Sequence, residues 1–154
     1  MHLPSCALPD DDESAVRSLL PLQLVPARNR FRVRLNAMIE ADRVQLLTGD
    51  VVAVDTPSQS GKGQRISRCP RCQVAVWSNY SGAGDAIRFV RVGTLDEPTR
   101  LPPDIHIYTG SKQPWLTLPP DTPAEVEYYR ASERWPAESL ERRAALLAKF
   151  PRRP

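Results

Sequence analysis

The sequence lacks any long apolar run. No stretch approaches the ~18 consecutive apolar residues of a membrane-spanning helix, and the apolar segment nearest the start is interrupted by Arg17, Pro21 and Pro26. A secretory signal is not expected either, because the acidic residues 10–13 precede any apolar stretch and no basic segment comes before them. We therefore expect a cytoplasmic protein with no membrane partner.

Cysteine is also scarce. The 154 residues contain three cysteines, and two of them, Cys69 and Cys72, belong to one short motif. Three thiols do not make a disulfide framework, and a chain of this length is expected to form one domain that buries roughly two-thirds of its unfolded surface without cross-links. Free thiols indicate a reducing compartment, which agrees with a cytoplasmic location.

Glycine is absent from the first 48 residues, and all seven glycines lie at Gly49 or later. Residues 1–30 combine prolines, acidic residues and leucines without a clear period, so we predict a poorly ordered N-terminal segment there. Sixteen prolines in the whole chain favour a loop-rich β domain. We place this β domain at residues 31–120 and a helical extension at residues 121–154.

The positive charge does not indicate a nucleic-acid partner. The net charge is +3 and 18 of the 21 basic residues are arginine. A nucleic-acid-binding protein gathers such charges on one patch, whereas here they are scattered and many alternate with apolar residues, as on the solvated face of a strand. We expect no nucleic-acid partner, and the sequence does not indicate an oligomeric state.

Alternation of apolar and polar residues predicts an antiparallel sheet. A turn at Gly49 and Asp50 between two apolar runs predicts a hairpin. The predicted strands cover residues 31–39, 43–47, 51–54, 64–68, 74–77, 86–92 and 105–108.

The C-terminal residues predict two helices. One begins at Thr122, where Pro123 and Glu125 complete a capping box. The other is opened by Pro136 and ends before Pro151, and Glu138 is placed to pair with Arg142. Its apolar face is predicted to carry Leu140, Ala144 and Leu147. Strands followed by helices predict a mainly β (α+β) fold with an antiparallel sheet.

The strongest candidate for chemistry is Cys69-Pro70-Arg71-Cys72. Two thiolates at this spacing in a tight turn can bind one tetrahedral ion, so Cys69 and Cys72 are candidate metal ligands. A buried pair of unmetallated thiols is the equal alternative. Redox chemistry is disfavoured, because a redox pair of this spacing usually opens a helix and this one leads into a predicted strand.

The partners that would complete a zinc site are not obvious. A structural zinc takes four ligands, and the remaining candidates of the usual type are His2, Cys6 and His106. His106 alternates with Ile105 and Ile107 in a predicted strand, which is more typical of a surface or core residue than of a ligand. No catalytic residue is assigned, because no nucleophile–base constellation stands out.

Three ordered motifs together resemble the glutathione-dependent formaldehyde-activating enzyme family, which includes the centromere protein V-like domains. They are ISRCPRCQVAVWSNY, FVRVGTLDEP and LPPDIHIYTGSKQPWLTLP, and the likeness covers about residues 36–118. The resemblance implies an antiparallel β-tent fold around zinc, with Cys69 and Cys72 as the second half of a structural site. It also implies a carbon–sulfur lyase that joins formaldehyde and glutathione at a second zinc held by a Cys-x-Cys-x-x-Cys motif.

The chain departs from this family at the residues that carry catalysis. It contains no Cys-x-Cys, and Gln73 stands where the family has a glycine. We therefore expect at most one zinc per chain and an impaired enzyme of glutathione–formaldehyde adducts; the alternative is a non-catalytic, zinc-ribbon-like or metal-free binding or scaffold domain. The glycine-free N-terminal third is either a shifted reading frame or a genuine divergence, and the coding DNA distinguishes the two.

Overall fold

The computed structural model describes residues 19–20, 34–58 and 61–150. The N-terminal segment that we predicted to be poorly ordered lies outside the described residues, apart from one two-residue strand. His2 and Cys6 also lie outside them. Within the described residues, no helix is long and apolar enough to cross a membrane.

Among the described residues, one antiparallel sheet of six strands forms the centre of the fold, in the order β1-β2-β6-β5-β4-β3. The two helices α1 and α2 follow the last strand in the chain, so the predicted mainly β (α+β) class is confirmed. The strands are β1 (Leu19–Leu20), β2 (Asn36–Glu40), β3 (Val52–Thr56), β4 (Gln64–Arg68), β5 (Ala75–Tyr80) and β6 (Ile87–Arg91), and the helices are α1 (Ala131–Arg134) and α2 (Ala137–Lys149).

Both faces of the sheet are packed, and we call them front and back. The front face carries Met38 and Phe89, which are register partners on β2 and β6. This face is covered by Ile105, Ile107 and residues of the C-terminal region, including Leu146 of α2. On the back face, a smaller cluster consists of Val44, Trp77 and Val90. The front-face cluster is the main core.

Helix α2 confirms the predicted second helix but only part of its predicted apolar face. Leu147 packs against the front-face core and Leu140 is partly buried, whereas Ala144 is exposed and Leu146 is the buried residue. The guanidinium of Arg142 donates to Glu40 at the end of β2, at 2.5 Å, rather than pairing with Glu138. This ion pair ties the helix to the sheet.

Strands β4, β5 and β6 confirm the predictions for residues 64–68, 74–77 and 86–92, but the hairpin predicted at residues 43–54 is wrong. Residues 41–43 form a 3₁₀ turn instead, and β3 pairs with β4. Val44 is buried in the back-face cluster and its carbonyl accepts a hydrogen bond from Arg88 at 2.6 Å. Tertiary packing of this residue therefore replaces the local strand pairing.

The helix predicted from Thr122 is also wrong, because that segment pairs with residues 106–110. The His106 N–H donates to Pro123 at 2.7 Å, and the Glu125 N–H donates to the His106 carbonyl at 2.7 Å. The strand predicted at residues 105–108 is reduced to a single parallel bridge between His106 and Ala124. Backbone partners supplied by a distant segment outweigh the local capping signal.

Candidate functional site

The turn that carries the two cysteines joins β4 to β5 and is closed by backbone hydrogen bonds. The Cys69 N–H donates to the Val74 carbonyl at 2.9 Å, and the Gln73 N–H donates to the Cys69 carbonyl at 2.9 Å. Both thiols are free, with Cys69 buried and Cys72 exposed. The sequence prediction of a tight turn between two strands is confirmed.

The turn favours the thiolate form of Cys69. Backbone N–H groups of Cys72 and Arg71 hydrogen-bond to the sulfur and lower the pKa of Cys69, with further contributions from the Cys72 side chain and the charge of Arg71. A thiolate is the form that binds a metal ion. The local backbone therefore prepares one sulfur for the role that the sequence suggested.

Gln73 adopts a left-handed backbone conformation, with φ of 60°. This conformation explains why the family pattern has glycine there, because a residue without a Cβ enters it without steric cost. Two contacts brace the residue: its carbonyl accepts from Arg68 at 3.0 Å, and its side-chain amide donates to the Pro70 carbonyl at 2.9 Å. The departure from the family is thus accommodated at a local energetic cost.

We expect Gln73→Gly to raise the free energy of unfolding by up to about 1 kcal/mol. The left-handed conformation costs about 1–2 kcal/mol for a residue with a Cβ, and the flexibility of glycine in the unfolded chain offsets about half of the gain. Gln73→Val, whose branched side chain tolerates this conformation least, is expected to lower stability by at least about 1 kcal/mol. Urea unfolding of the three proteins tests this, and a valine variant as stable as the glycine variant would contradict it.

Two thiols are half of a structural zinc site. Among residues 34–58 and 61–150, no group of three or more His, Cys, Asp or Glu side chains could hold a metal ion. His106, one of the three candidates for completing the site, does not join the cysteines in such a group. The assignment of Cys69 and Cys72 as metal ligands therefore stays a prediction, and no catalytic step is derived through zinc.

His106 is a buried imidazole, with 4 % of its surface exposed. In the part of the chain that the structure describes, neither ring nitrogen has a hydrogen-bond partner. Burial lowers the pKa of His106, because the charged imidazolium is poorly solvated there. The histidine is therefore a neutral core residue whose protonation opposes folding.

We expect the stability contribution of His106 to depend on pH. Its pKa in the folded state is below the unfolded value of about 6.5, so the unfolded state binds the proton first. The free energy of unfolding is therefore unaffected above about pH 7 and falls as the pH drops below 6.5, by at most about 1.4 kcal/mol per pH unit.

His106→Leu is expected to remove this slope, leaving only the dependence due to other groups. Urea unfolding of both proteins between pH 5 and 8 measures the difference. Identical slopes between pH 5 and 6.5 would show that His106 does not titrate with folding.

A group of arginines on the front face was missed from the sequence. We expected interleaved arginines to lie on solvated strand faces, and this is wrong for Arg91, which is 7 % exposed. Its guanidinium donates to Asn36 Oδ1 and, at 2.7 Å, to Ser78 Oγ. The spacing of the two arginines could have indicated this. Arg88 and Arg91 are three residues apart on one strand, so they lie on opposite faces of the sheet and cannot both be on one solvated face.

Arg88 takes the back face, where its guanidinium lies 4.6 Å from the centre of the Trp77 ring. On the front face, Tyr80 packs edge-to-face against Phe89, with ring centres 4.6 Å apart. The Tyr80 side chain hydrogen-bonds with Arg91 and interacts with Arg34.

We call Arg34, Arg68, Arg91 and Tyr80 the arginine–tyrosine cluster. Burial is the main cause that lowers the pKa of Arg91, and the charges of Arg34 and Arg68 lower it further. Burial likewise lowers the pKa of Arg34, which is half-buried. Three positive charges are therefore close enough to repel one another in a partly desolvated setting.

A cleft of about 900 Å³ adjoins this cluster at Tyr80, while Arg34, Arg68 and Arg91 do not line it. It is lined by residues of the loops after β3 and β5 and by the end of α2, and it includes Gly61, Lys62 and Lys149. Tyr80 belongs to both features, because it lines the cleft and hydrogen-bonds with Arg91. The volume of the cleft is in the range typical of small-molecule sites.

Comparison with protein families gives one match. The family described as glutathione-dependent formaldehyde-activating enzyme matches residues 29–111, which is more than half of the 154 residues. The matched range contains the cysteine turn and all four members of the arginine–tyrosine cluster, and it ends before the helices. No curated protein matches the chain.

Proposed function

The chain belongs to the glutathione-dependent formaldehyde-activating enzyme family, and from that membership we propose that it binds glutathione or its formaldehyde adduct but does not catalyse the carbon–sulfur step. The retained part is the sheet with its cysteine turn, its cleft and its arginines. The missing part is a second set of metal ligands. A cytoplasmic location, where glutathione is reduced, suits this function and the free thiols.

The cysteine inventory carries this proposal. A catalytic zinc keeps three protein ligands and one open position, and the family pattern supplies those ligands as three cysteines separate from the structural site. This chain has three cysteines in all, and two of them form the turn after β4. Only Cys6 remains, so a second thiolate site cannot be assembled from one chain.

The residues present support binding rather than bond formation. An ordinary thiol has a pKa of about 8.5 and is mainly protonated near neutral pH. Among the described residues, no group of three or more His, Cys, Asp or Glu side chains could hold a metal ion that would stabilise the thiolate. Arginine and tyrosine side chains beside the cleft instead offer donors for carboxylates and amide carbonyls. Recognition is therefore the function that the side chains of this face serve best.

The alternative is a zinc-ribbon-like or metal-free scaffold domain that does not bind glutathione. The cysteine turn favours this alternative, because a turn of this kind can stabilise a fold in a domain that binds no substrate. The two functions differ in one observable: the scaffold has no affinity for a glutathione adduct, whereas the proposed binding protein does.

We expect at most one zinc per chain, bound through Cys69 and Cys72. Protein refolded with excess zinc and then dialysed should contain no more than one equivalent by elemental analysis, and Cys69→Ser or Cys72→Ser should reduce the metal to background. If zinc is held, each variant should also melt below the zinc-loaded wild type, because zinc binding contributes to folding.

Cys6→Ser is the matched control, since it removes the one cysteine outside the turn. Loss of zinc in that variant would identify Cys6 as a third ligand. Two tightly held zinc ions per chain would overturn the proposal that the second site is gone.

A further inference from the structure

We propose that Arg34 and Arg68, above the buried Arg91, form the subsite that binds a carboxylate of the glutathione moiety. This inference rests on the proposed function, because it names how the same face would recognise its ligand. Glutathione is a tripeptide with two carboxylates, one of which can lie on the arginines while the rest of the peptide extends along the neighbouring cleft past Tyr80. Arg91 acts from beneath as a positioning residue.

The first observation is the charge of Arg91, which is buried but not neutralised by an acidic side chain. Its hydrogen-bond partners are the side chains of Asn36, Ser78 and Tyr80, none of which is an acidic residue. Ion pairs elsewhere in the described residues engage other arginines; none joins a carboxylate to Arg68 or Arg91. Buried charges in proteins are usually paired, so an unpaired guanidinium here indicates a place for an anion.

The second observation is that the sheet brings the three arginines together from separate strands. Asn36 is the register partner of Arg91, and pairing continues beyond it because the Val92 N–H donates to the Leu35 carbonyl at 3.1 Å. Arg34 is two residues before Asn36 and therefore lies on the same side of the chain.

Arg68 reaches the same region from β4. A β-bulge follows Ser67, so Arg68 pairs with Ala75 and does not continue the register of Ile66 and Ser78. Its charge lowers the pKa of both Arg34 and Arg91, which places its guanidinium near theirs. The approach of Arg68 to the buried Arg91 is unfavourable unless something offsets it. A planar carboxylate that accepts two parallel hydrogen bonds from a guanidinium is the anion that this donor geometry suits best.

The third observation is the position of Tyr80 between the arginines and the cleft. Its ring is held against Phe89, and it lines the cleft of about 900 Å³. A tripeptide bound with one carboxylate on the arginines can therefore place its remaining length against Tyr80 and towards Lys62 and Lys149, which also line the cleft. The two lysines suit the second carboxylate.

The test uses S-methylglutathione, because its blocked thiol can neither add to formaldehyde nor bind zinc as a thiolate. Isothermal titration compares it with its dimethyl ester, in which both carboxylates are neutralised. Wild type is expected to bind the acid at least about tenfold more tightly than the ester, as the loss of charge-assisted hydrogen bonds implies. Arg34→Gln should weaken acid binding about tenfold and bring acid and ester close together, while Arg34→Lys should recover part of the difference.

Arg100→Gln is the matched control, since Arg100 is exposed, pairs with Glu97 and does not line the cleft. It should bind acid and ester as wild type does. Inorganic phosphate is the second probe, and at the same concentration it should displace S-methylglutathione poorly. The proposal is overturned if wild type binds neither ligand, if acid and ester bind equally, if Arg34→Gln binds as wild type does, or if phosphate alone binds with Arg34 dependence.

These outcomes are separate from those of the catalytic proposal. S-Methylglutathione reports no turnover, so a protein that proves to be an active enzyme can still pass or fail this test. Equally, an inactive protein that binds acid and ester alike would keep its proposed lack of catalysis and lose only the arginine subsite.

Discussion

Purified protein given glutathione and formaldehyde is expected to form S-hydroxymethylglutathione at the uncatalysed rate, with or without added zinc. The reaction adds the glutathione sulfur to the formaldehyde carbon, and the thiol proton passes to the carbonyl oxygen. Acceleration requires a group that stabilises the thiolate or polarises the carbonyl. The chain has only Cys6 besides the two cysteines of the turn, so the three-thiolate site that the family pattern supplies is missing.

Exchange measurements by nuclear magnetic resonance quantify this rate at equilibrium, where both directions of the reversible reaction are seen. Enzymes typically accelerate their reactions by at least about 10⁶-fold, so the difference between an active and an inactive member is large. Controls contain zinc and glutathione without protein, because free zinc binds thiols. Zinc-dependent turnover that persists through purification would contradict the prediction. Its loss in Cys6→Ser would assign a ligand to the N-terminal segment.

Strands could be predicted from the sequence where their alternating apolar and polar residues agree with the packing on the two faces of the sheet. β4, β5 and β6 are of this kind: β4 has the predicted boundaries, β6 is one residue shorter at each end, and β5 continues to Tyr80 beyond the predicted end at residue 77. The segment at residues 43–47 has the same local pattern, yet Val44 is buried against Trp77 and Val90. The local pattern cannot show that Val44 is buried in the back-face cluster instead of lying in a strand, because Trp77 and Val90 are over thirty positions away in the sequence.

The helix predicted from Thr122 failed for a related reason. Its capping signal is local, whereas the observed pairing with His106 depends on a segment sixteen or more residues earlier. Helix α2 was predictable because its amphipathic period and its opening proline are both local signals. Propensity thus succeeded where tertiary contacts agreed with it.

The same distinction applies to the candidate site. The cysteine turn is contained in four consecutive residues, so its geometry was predictable, and the left-handed Gln73 explains the family glycine after the fact. The arginine–tyrosine cluster is assembled from β4, β5, β6 and Arg34, which precedes β2, and it depends on the pairing of β2 with β6, two strands that are far apart in sequence. Scattered arginines therefore gave no sign of convergence until the strand order was known.

Arg91→Met is expected to lower the free energy of unfolding by about 3 kcal/mol. Methionine has similar length but no donors, so Asn36 Oδ1 and Ser78 Oγ would lose a buried hydrogen bond each. An acceptor left buried without a partner costs about 1–3 kcal/mol. Removal of the charge offsets part of this, because the desolvation of Arg91 is relieved. Urea unfolding measures the effect. The slope of the unfolding free energy against urea concentration should stay the same, so that the change reports stability alone.

Two further variants determine whether the hydrogen bonds are the cause. Arg65→Met removes an exposed arginine whose partner Asp55 is also exposed, and it should change stability by less than about 0.5 kcal/mol. The triple variant Asn36→Leu, Ser78→Ala, Arg91→Met removes the charge together with both acceptors, and it should recover most of the loss, since replacing all partners of a buried polar group by apolar ones is often nearly neutral. An Arg91→Met protein as stable as wild type would show that these hydrogen bonds do not stabilise the front face. A triple variant less stable than Arg91→Met alone would show that the loss comes from packing rather than from unpaired acceptors.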